Sequence, residues 1–255
     1  MTSRLIILYG IGGLSDVGRH AILAALENKS VQHITVITEH PDKLNDKNWE
    51  CNCDKGHTNP FNDSANVSRL KMVSINSWKK EQPDLGMHFE GADAVISCLG
   101  HRQPGWKYPE LIQQGLIAHD GNMQVIRAMD EAKVDRVVVI SSFGLRTDGD
   151  VIWPHWARRI MACLFSTFQR KARDDLEAME KMYRSSSLDY LIVKPVGIGE
   201  EKVPVGEYYL QEANGEAVGG NMAKLDVARF MVDQAVNPSF HRTSKIVGAK
   251  PGSPM

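Results

Sequence analysis

The stretch LYGIGGLSDVGRHAILAAL, residues 8–26, decides the fold, because it joins an apolar strand pattern to a helical one through a glycine-rich turn. Gly10, Gly12 and Gly13 follow the apolar run, and Gly18 with Arg19 opens the helical pattern. A turn of this kind after a first strand lets the backbone approach a pyrophosphate and points helix N–H groups at it. These five residues therefore predict a dinucleotide-binding turn.

The turn departs from the usual dinucleotide fingerprint at its third glycine. Asp16 occupies the expected position, and Gly18 arrives two residues later. Two interpretations stay open: a working cofactor turn with a two-residue insertion, or a glycine turn that serves packing alone. Asp16 opposes phosphate binding unless its carboxylate turns outward or caps the helix.

Short apolar segments alternate with longer helical patterns along the chain. The strand predictions fall at 4–10, 33–38, 70–75, 93–100, 134–144, 189–199 and 244–249, with a short one within 205–210. The helix predictions fall at 15–28, 108–132, 155–184 and 224–236. Strands that are apolar on both faces and separated by helices indicate an α/β fold with a Rossmann-type, doubly wound parallel sheet.

The organisation of the chain predicts one NAD(P)-binding domain over residues 1–255. Two stretches interrupt the alternation of strands and helices. Residues 40–69 are polar and predict a long surface loop after the second strand, whereas residues 200–222 predict a segment that folds over a pocket as a lid.

Composition and charge exclude several classes of protein. The chain has 255 residues and a net charge of −1, with 42% hydrophobic and 24% charged residues. This balance leaves no positive surface for nucleic acid, and no apolar run approaches a membrane span. Four cysteines without a secretory signal favour reduced thiols and a cytoplasmic location. Cys51, Cys53 and His57 lie close together, but a closed zinc site needs four ligands, so we predict no metal.

The end of the second strand bears on the choice of cofactor. Glu39 stands about 20 residues beyond the glycine turn, where an acid bonds the ribose hydroxyls of NAD, whereas an arginine would favour the 2′-phosphate of NADP. We therefore predict an NAD(P) cofactor with NAD favoured over NADP. The alternative is an exposed loop glutamate without a role.

The fourth and fifth predicted strands end in small residues beside the expected cofactor path. Cys98, Leu99 and Gly100 follow the fourth strand, and we predict that their backbone lies against the adenosine ribose, with Cys98 as a buried filler. Ser141 and Ser142 follow the fifth strand at the edge where ligands bind in open α/β sheets. A serine hydroxyl there contacts either the nicotinamide or a substrate carbonyl, or else the pair only caps the strand.

Four segments together carry a family resemblance: GADAVISCLG (91–100), GNMQVIRAMDEAKVDRVVVISSFG (121–144), DDLEAMEKMYRSSSLDYLIVKP (174–195) and KLDVARFMVDQA (224–235). In order and spacing they resemble the atypical short-chain dehydrogenase/reductases with an NmrA-like NAD(P)-binding domain. Within that group they are most similar to the flavin reductase/biliverdin-IXβ reductase branch. The resemblance implies a Rossmann-type monomer that transfers hydride to a small planar substrate, which is flavin-like, quinone-like or tetrapyrrole-like.

The resemblance also assigns roles to individual positions. Ser142 matches a serine near the nicotinamide and is the catalytic candidate. Pro195 to Ile198 match the segment that flanks the nicotinamide ring. Asn76 replaces an aspartate after the third strand, close to the adenine.

Other positions depart from the family pattern. Gly197 replaces a histidine of the flavin-reducing branch. Phe168 and Lys171 occupy the region of the tyrosine and lysine of ordinary short-chain dehydrogenases, and phenylalanine cannot donate a proton. Besides a reductase, two hypotheses therefore stay open: a non-catalytic NAD(P)-binding sensor or scaffold that acts through a protein partner, and a fold that has lost its cofactor.

Overall fold

The computed structural model describes residues 3–10, 16–44, 59–66, 68–100, 116–145, 147, 170–199, 205–212 and 216–252. The strands are β1 (Ser3–Tyr9), β2 (Val31–Thr38), β3 (Leu70–Ser74), β4 (Ala94–Cys98), β5 (Arg136–Ile140), β6 (Asp189–Pro195), β7 (Tyr209–Leu210) and β8 (Thr243–Gly248). The α-helices are α1 (Val17–Glu27), α2 (Pro41–Leu44), α3 (Ala118–Ala132), α4 (Arg170–Ser185) and α5 (Lys224–Val236). Two short 3-10 helices cover Pro60–Asn62 and Gly86–His88.

The eight described strands form one sheet with the order β3-β2-β1-β4-β5-β6-β8-β7. Every neighbouring pair is parallel except β7 and β8, which are antiparallel. The predicted Rossmann-type doubly wound parallel sheet is confirmed. β1 lies between β2 and β4. Across the sheet, β2 and β3 are therefore added on one side of β1, and the strands from β4 onward are added on its other side.

Two pairs of helices cover the sheet. α1 packs on α5, and α3 packs on α4. Since parallel crossovers are right-handed, the reversal between β1 and β4 puts the two pairs on opposite faces. All five residues of β4 and of β5 are buried, because both strands lie in the middle of the sheet with helices on both faces.

The stretch after β2 differs from the predicted surface loop. The chain forms α2 directly, and Leu44 at its end is completely buried. Asn59 is also buried, and its side-chain amide donates to the Leu44 carbonyl oxygen at 2.6 Å. Leu44, Asn59 and Pro60 are therefore anchored in the core, whereas 62–65 and residue 68 are exposed at the surface as predicted; residues 45–58 and 67 lie outside the described residues.

The region predicted as a lid is attached to the sheet where the structure describes it. β7 pairs with β8, as the short strand prediction within 205–210 required. Single bridges join Gly219 to Ala249 and Ile198 to Met222. None of the helices within the described ranges is both long and apolar enough to cross a lipid bilayer.

Candidate functional site

The candidate site lies at the carboxyl edge of the sheet, between the neighbouring strands β1 and β4. The connection after β1 leads to one side of the sheet, and the connection after β4 leads to the other. Ligands of open α/β sheets bind at this kind of division. Gly10 follows β1 there, and Leu99 with Gly100 follows β4; all three are buried. Gly12 and Gly13 lie outside the described residues.

Gly18 packs the first turn of α1 against both of these strands. A Cβ atom at this position would lie 2.7 Å from Tyr9 Cδ2 and 3.3 Å from Cys98 Cβ. Because real Cβ atoms do not approach so closely, only glycine allows α1 to begin here. This contact is the close helix–strand packing that the third glycine of a dinucleotide turn provides.

The charged side chains around the start of α1 are held by neighbours. The Asp16 Oδ2 atom lies 3.6 Å from Nζ of Lys224, the first residue of α5, and the Asp16 side chain makes no capping hydrogen bond to α1. Arg19 Nε donates to the Tyr9 hydroxyl at 2.9 Å. The Asp16 carboxylate is thus paired with a cation on the neighbouring helix, and its outward orientation from a bound phosphate stays a prediction.

His20 is a buried, neutral histidine in the same turn of α1. It is 3% exposed, and its Nδ1 atom lies 3.3 Å from the Asp16 carbonyl oxygen. Burial above all, together with the nearby Lys224 charge, lowers the pKa of His20 to about 4. Its Nε2 atom has no hydrogen-bond partner among the described residues.

Glu39 directly follows β2 and is not exposed; whether it has a role in cofactor binding or none stays open. Its side chain is 6% exposed, and Oε1 accepts a hydrogen bond from the Trp78 backbone N–H. Oε2 lies 3.5 Å from His40 Nε2. The carboxylate therefore joins the ends of β2 and β3 at the site edge. Asn76 follows β3 at the same edge and is exposed; adenine binding there and ribose binding by Glu39 stay predictions.

The end of β4 is held by a buried amide that the sequence interpretation missed. Asn122 of α3 donates to the Leu99 carbonyl oxygen at 3.2 Å, and its Oδ1 atom accepts from Ser97 at 2.6 Å and from Tyr183 at 2.8 Å. Cys98 beside them is completely buried, and burial raises the pKa of its thiol. Cys98 is therefore a buried filler, as predicted.

Ser141 and Ser142 diverge after β5. The Ser142 side chain is half-buried, and its hydroxyl donates to the Phe143 carbonyl oxygen at 3.2 Å. The Ser141 hydroxyl is buried and donates to Glu180 Oε1 at 2.6 Å. Ser142 thus stays the catalytic candidate, and cofactor binding by Ser141 stays a prediction.

The segment after β6 is close to this pair. The Pro195 carbonyl oxygen accepts from the Phe143 backbone N–H at 3.3 Å, and Ile198 is half-buried. A Cβ atom on Gly197 would lie 2.9 Å from the Asn221 backbone nitrogen, which explains why this chain has no histidine there. Lys171 is exposed, and Phe168 lies outside the described residues.

Below the ends of β5 and β6 lies a fully buried ion pair, which the sequence interpretation also missed. Lys194 Nζ is 2.9 Å from Glu180 Oε2, and the two side chains are 1% and 0% exposed. A signal for both was present. Glu180 lies on the apolar face of its helix between Leu176 and Tyr183, and Lys194 interrupts an apolar strand.

The described residues contain no group of three histidine, cysteine or acidic side chains that could hold a metal ion. The cluster of Cys51, Cys53 and His57 lies outside them, so it is not tested. The described part of the site therefore consists of glycines, backbone groups, hydroxyls and buried ion pairs, a set suited to binding and orienting an organic cofactor.

Solved structures share this fold over almost the whole chain. A short-chain dehydrogenase/reductase (wide type) from Veillonella parvula DSM 2008, in complex with NADP, is 16% identical with a TM-score of 0.67, covering 99% of this chain and 96% of that chain. A Rossmann-fold NAD(P)-binding family protein from Shigella flexneri is 16% identical with a TM-score of 0.62, at the same two coverages of 99% and 96%. The oxidoreductase ylbE from Lactococcus lactis is 14% identical with a TM-score of 0.62, covering 97% of this chain and 92% of that chain. At these identities the likeness concerns the fold.

A family model described as NAD(P)H-binding matches residues 12–238. The match runs from the glycine turn, through the carboxyl ends of β2 to β6, to the residues just after α5. It therefore includes most of the candidate site as well as most of the chain. This chain belongs to the NAD(P)H-binding family of Rossmann-type proteins.

Proposed function

We propose that this chain is an NAD(P)H-dependent reductase of a small planar acceptor of the flavin, quinone or tetrapyrrole kind. The observation that carries the proposal is the contact of Gly18 with Tyr9 and Cys98, which leaves no room for a Cβ where β1 and β4 divide. Membership of the NAD(P)H-binding family supports the cofactor. The resemblance to the flavin reductase/biliverdin-IXβ reductase branch supports the acceptor class.

The residues present fit a dinucleotide. The glycine turn with Gly10 and Gly18 holds the pyrophosphate, and the paired Lys224 offsets the negative charge of Asp16 beside it. Ser142 and the segment from Pro195 to Ile198 orient the nicotinamide half. When bound, NAD(P)H supplies the hydride, and the protein supplies position and shape. No side-chain acid was identified from the sequence, so water provides the proton of the acceptor.

The absorbance of the reduced nucleotide at about 340 nm, followed by stopped-flow or steady-state kinetics, tests the proposal directly. NADH and NADPH are each mixed with the purified chain and a flavin, a quinone or biliverdin. We expect oxidation of the nucleotide with at least one acceptor. Nucleotide binding without oxidation in any pairing contradicts the reductase and supports the sensor hypothesis, whereas absence of binding contradicts both.

We propose further that NAD is favoured over NADP, because the Glu39 carboxylate lies at the end of β2 with little exposure. A buried negative charge there opposes a 2′-phosphate. The relative from Veillonella parvula is in complex with NADP, so the preference has to be measured on this chain.

Glu39→Gln isolates the charge, since the amide oxygen still accepts from the Trp78 backbone N–H. We expect NADPH affinity to rise about tenfold in this variant, corresponding to about 1.4 kcal/mol, while NADH affinity changes little. Titration calorimetry with both nucleotides measures this, with the exposed Glu90→Gln as control. An unchanged ratio of the two affinities would remove Glu39 from cofactor selection.

A further inference from the structure

One carboxylate contacts the chain at two points after β5. We call residues 141–147 the post-β5 loop; residue 146 lies outside the described residues. Ser141 donates to Oε1 of Glu180 at 2.6 Å, and Thr147 donates to Oε2 of the same side chain at 2.6 Å. Each oxygen of Glu180 therefore holds one residue of this loop.

A buried cation completes the arrangement. Lys194 Nζ lies 2.9 Å from Glu180 Oε2 and donates to the Thr147 hydroxyl at 3.1 Å. Arg184 Nη2 lies 3.5 Å from the same Oε2 atom, on the outer side. Buried ion pairs contribute little net stability compared with well-packed apolar residues of similar size, so stability alone does not account for this one. Its specific consequence is that Glu180, Lys194 and Thr147 have fixed orientations.

The loop held in this way carries Ser142. Its start is aligned with β6, because the Ser141 backbone N–H donates to Val193 at 2.7 Å and the Phe143 N–H donates to Pro195 at 3.3 Å. Gly144 then turns the chain with a φ of +89°, and Thr147 returns it to Glu180. Lys194 directly precedes Pro195 in β6, so one ion pair is linked to both segments assigned to the nicotinamide half.

We infer that Glu180, paired with Lys194, is a positioning residue for the nicotinamide half of the site. The inference rests on the proposed function. It acts through hydrogen bonds to Ser141 and Thr147 and requires no contact of Glu180 with the cofactor. This role differs from a general stabilising one in what it affects. Binding of the nicotinamide half of the cofactor depends on the hydrogen bonds of Glu180, whereas binding of the ADP-ribose half does not.

Thr147→Val tests this with the least disturbance, because valine has the shape of threonine and the Glu180–Lys194 pair remains. Dissociation constants are measured by calorimetry for NADH and NADPH, and for ADP-ribose and 2′-phospho-ADP-ribose, which lack the nicotinamide. The variant loses the two hydrogen bonds of the Thr147 hydroxyl, to Glu180 and from Lys194. We expect it to bind the nicotinamide nucleotides about fivefold more weakly and to bind both ADP-ribose compounds unchanged. The matched control is Thr243→Val. It removes a half-buried threonine hydroxyl at the first residue of β8, which lies at the amino ends of the strands, away from the candidate site.

Glu180→Gln and Lys194→Arg extend the test. Glu180→Gln replaces one of the two acceptor oxygens by a donor, and we expect a larger loss of affinity, confined to the nicotinamide nucleotides. Lys194→Arg keeps the ion pair, and we expect affinities near those of the wild type. Equal losses for ADP-ribose and NADH, or no loss in Thr147→Val, would overturn the inference while leaving the proposed function intact. Failure of the wild-type chain to bind any nucleotide would overturn the proposed function and this inference with it.

Discussion

Position 18 of α1 has no room for a side chain, because even a methyl group there would collide with β1. The Tyr9 ring is completely buried, so it cannot move away from an added Cβ at 2.7 Å without disturbing the core. We expect Gly18→Ala to lower the free energy of unfolding by about 1–3 kcal/mol through overpacking and to weaken NAD(P)H binding. Gly206→Ala is the matched control, since a Cβ there meets no atom within 4 Å. Urea unfolding and nucleotide titration of both variants measure the difference, and equal behaviour would contradict this role for Gly18.

Asp16 and Lys224 offer a second test at the scale of residues. Lys224→Met removes the positive charge that lies 3.6 Å from the Asp16 carboxylate, near the start of α1, where the pyrophosphate binds in the proposed function. We expect about fivefold weaker NADH binding, since partly buried charges at a helix terminus contribute on the order of 1 kcal/mol. Asp16→Asn in the Lys224→Met background should restore affinity. A double variant as weak as Lys224→Met would show that Lys224 acts independently of Asp16.

His20 gives the stability of the chain a pH dependence. Its pKa is about 4 when folded, below the ordinary value of 6.5, because burial disfavours the charged ring. The unfolded chain then binds the proton more readily, so stability is lost as pH falls from about 6.5 to about 4, by up to about 3 kcal/mol. His20→Gln should flatten the free energy of unfolding across this window in urea titrations. His33→Gln, at an exposed position in β2, should leave the slope unchanged.

At the scale of elements, buried polar contacts fix how α3 and α4 lie against β4. Both oxygens of Asp175 in α4 accept from backbone N–H groups at the start of α3, Ala118 at 3.0 Å and His119 at 3.1 Å. Deeper in the same interface, Asn122 accepts from Tyr183 and donates to the end of β4. The two helices therefore set the position of Leu99 at the candidate site.

Tyr183→Phe tests this interface. It removes one buried hydroxyl without changing the packed ring, and it leaves Asn122 Oδ1 with one hydrogen bond fewer. We expect the free energy of unfolding to fall by about 1–2 kcal/mol, measured in urea. Tyr209→Phe is the control, because the Tyr209 hydroxyl bonds Glu207 at the exposed surface. A Tyr183→Phe variant as stable as wild type would show that the Asn122 contacts are energetically redundant.

The elements themselves follow from local pattern, whereas their polar cross-links do not. The prediction for 224–236 matches α5 at both ends, because its apolar spacing and limits are local properties of the chain. The pairing of Glu180 with Lys194 depends on where α4 meets β6, and apolar periodicity does not specify that. An acid on the apolar face of a helix indicates that a buried partner exists without identifying it.

At the scale of the whole molecule, the sheet order brings together residues that are far apart in sequence. Gly10, Glu39, Gly100, Ser142 and Pro195 come from five different parts of the chain and lie at or just beyond the carboxyl ends of β1, β2, β4, β5 and β6. This arrangement could be predicted, because parallel strands share one edge and each candidate follows a strand. The orientation of the Glu39 carboxylate toward Trp78 could not, since it depends on the turn after β3.

The two-residue strand β7 has a consequence for how the molecule avoids self-association. Tyr209 and Leu210 of β7 pair antiparallel with Gly248 and Val247 of β8 and occupy the outer backbone groups of that strand. So short an edge strand offers little template to an incoming chain. The opposite border, β3, is longer and only partly covered, with Lys71 facing solvent. Cross-β growth under partially unfolding conditions should therefore begin at β3, where a solvated ammonium group is the principal deterrent.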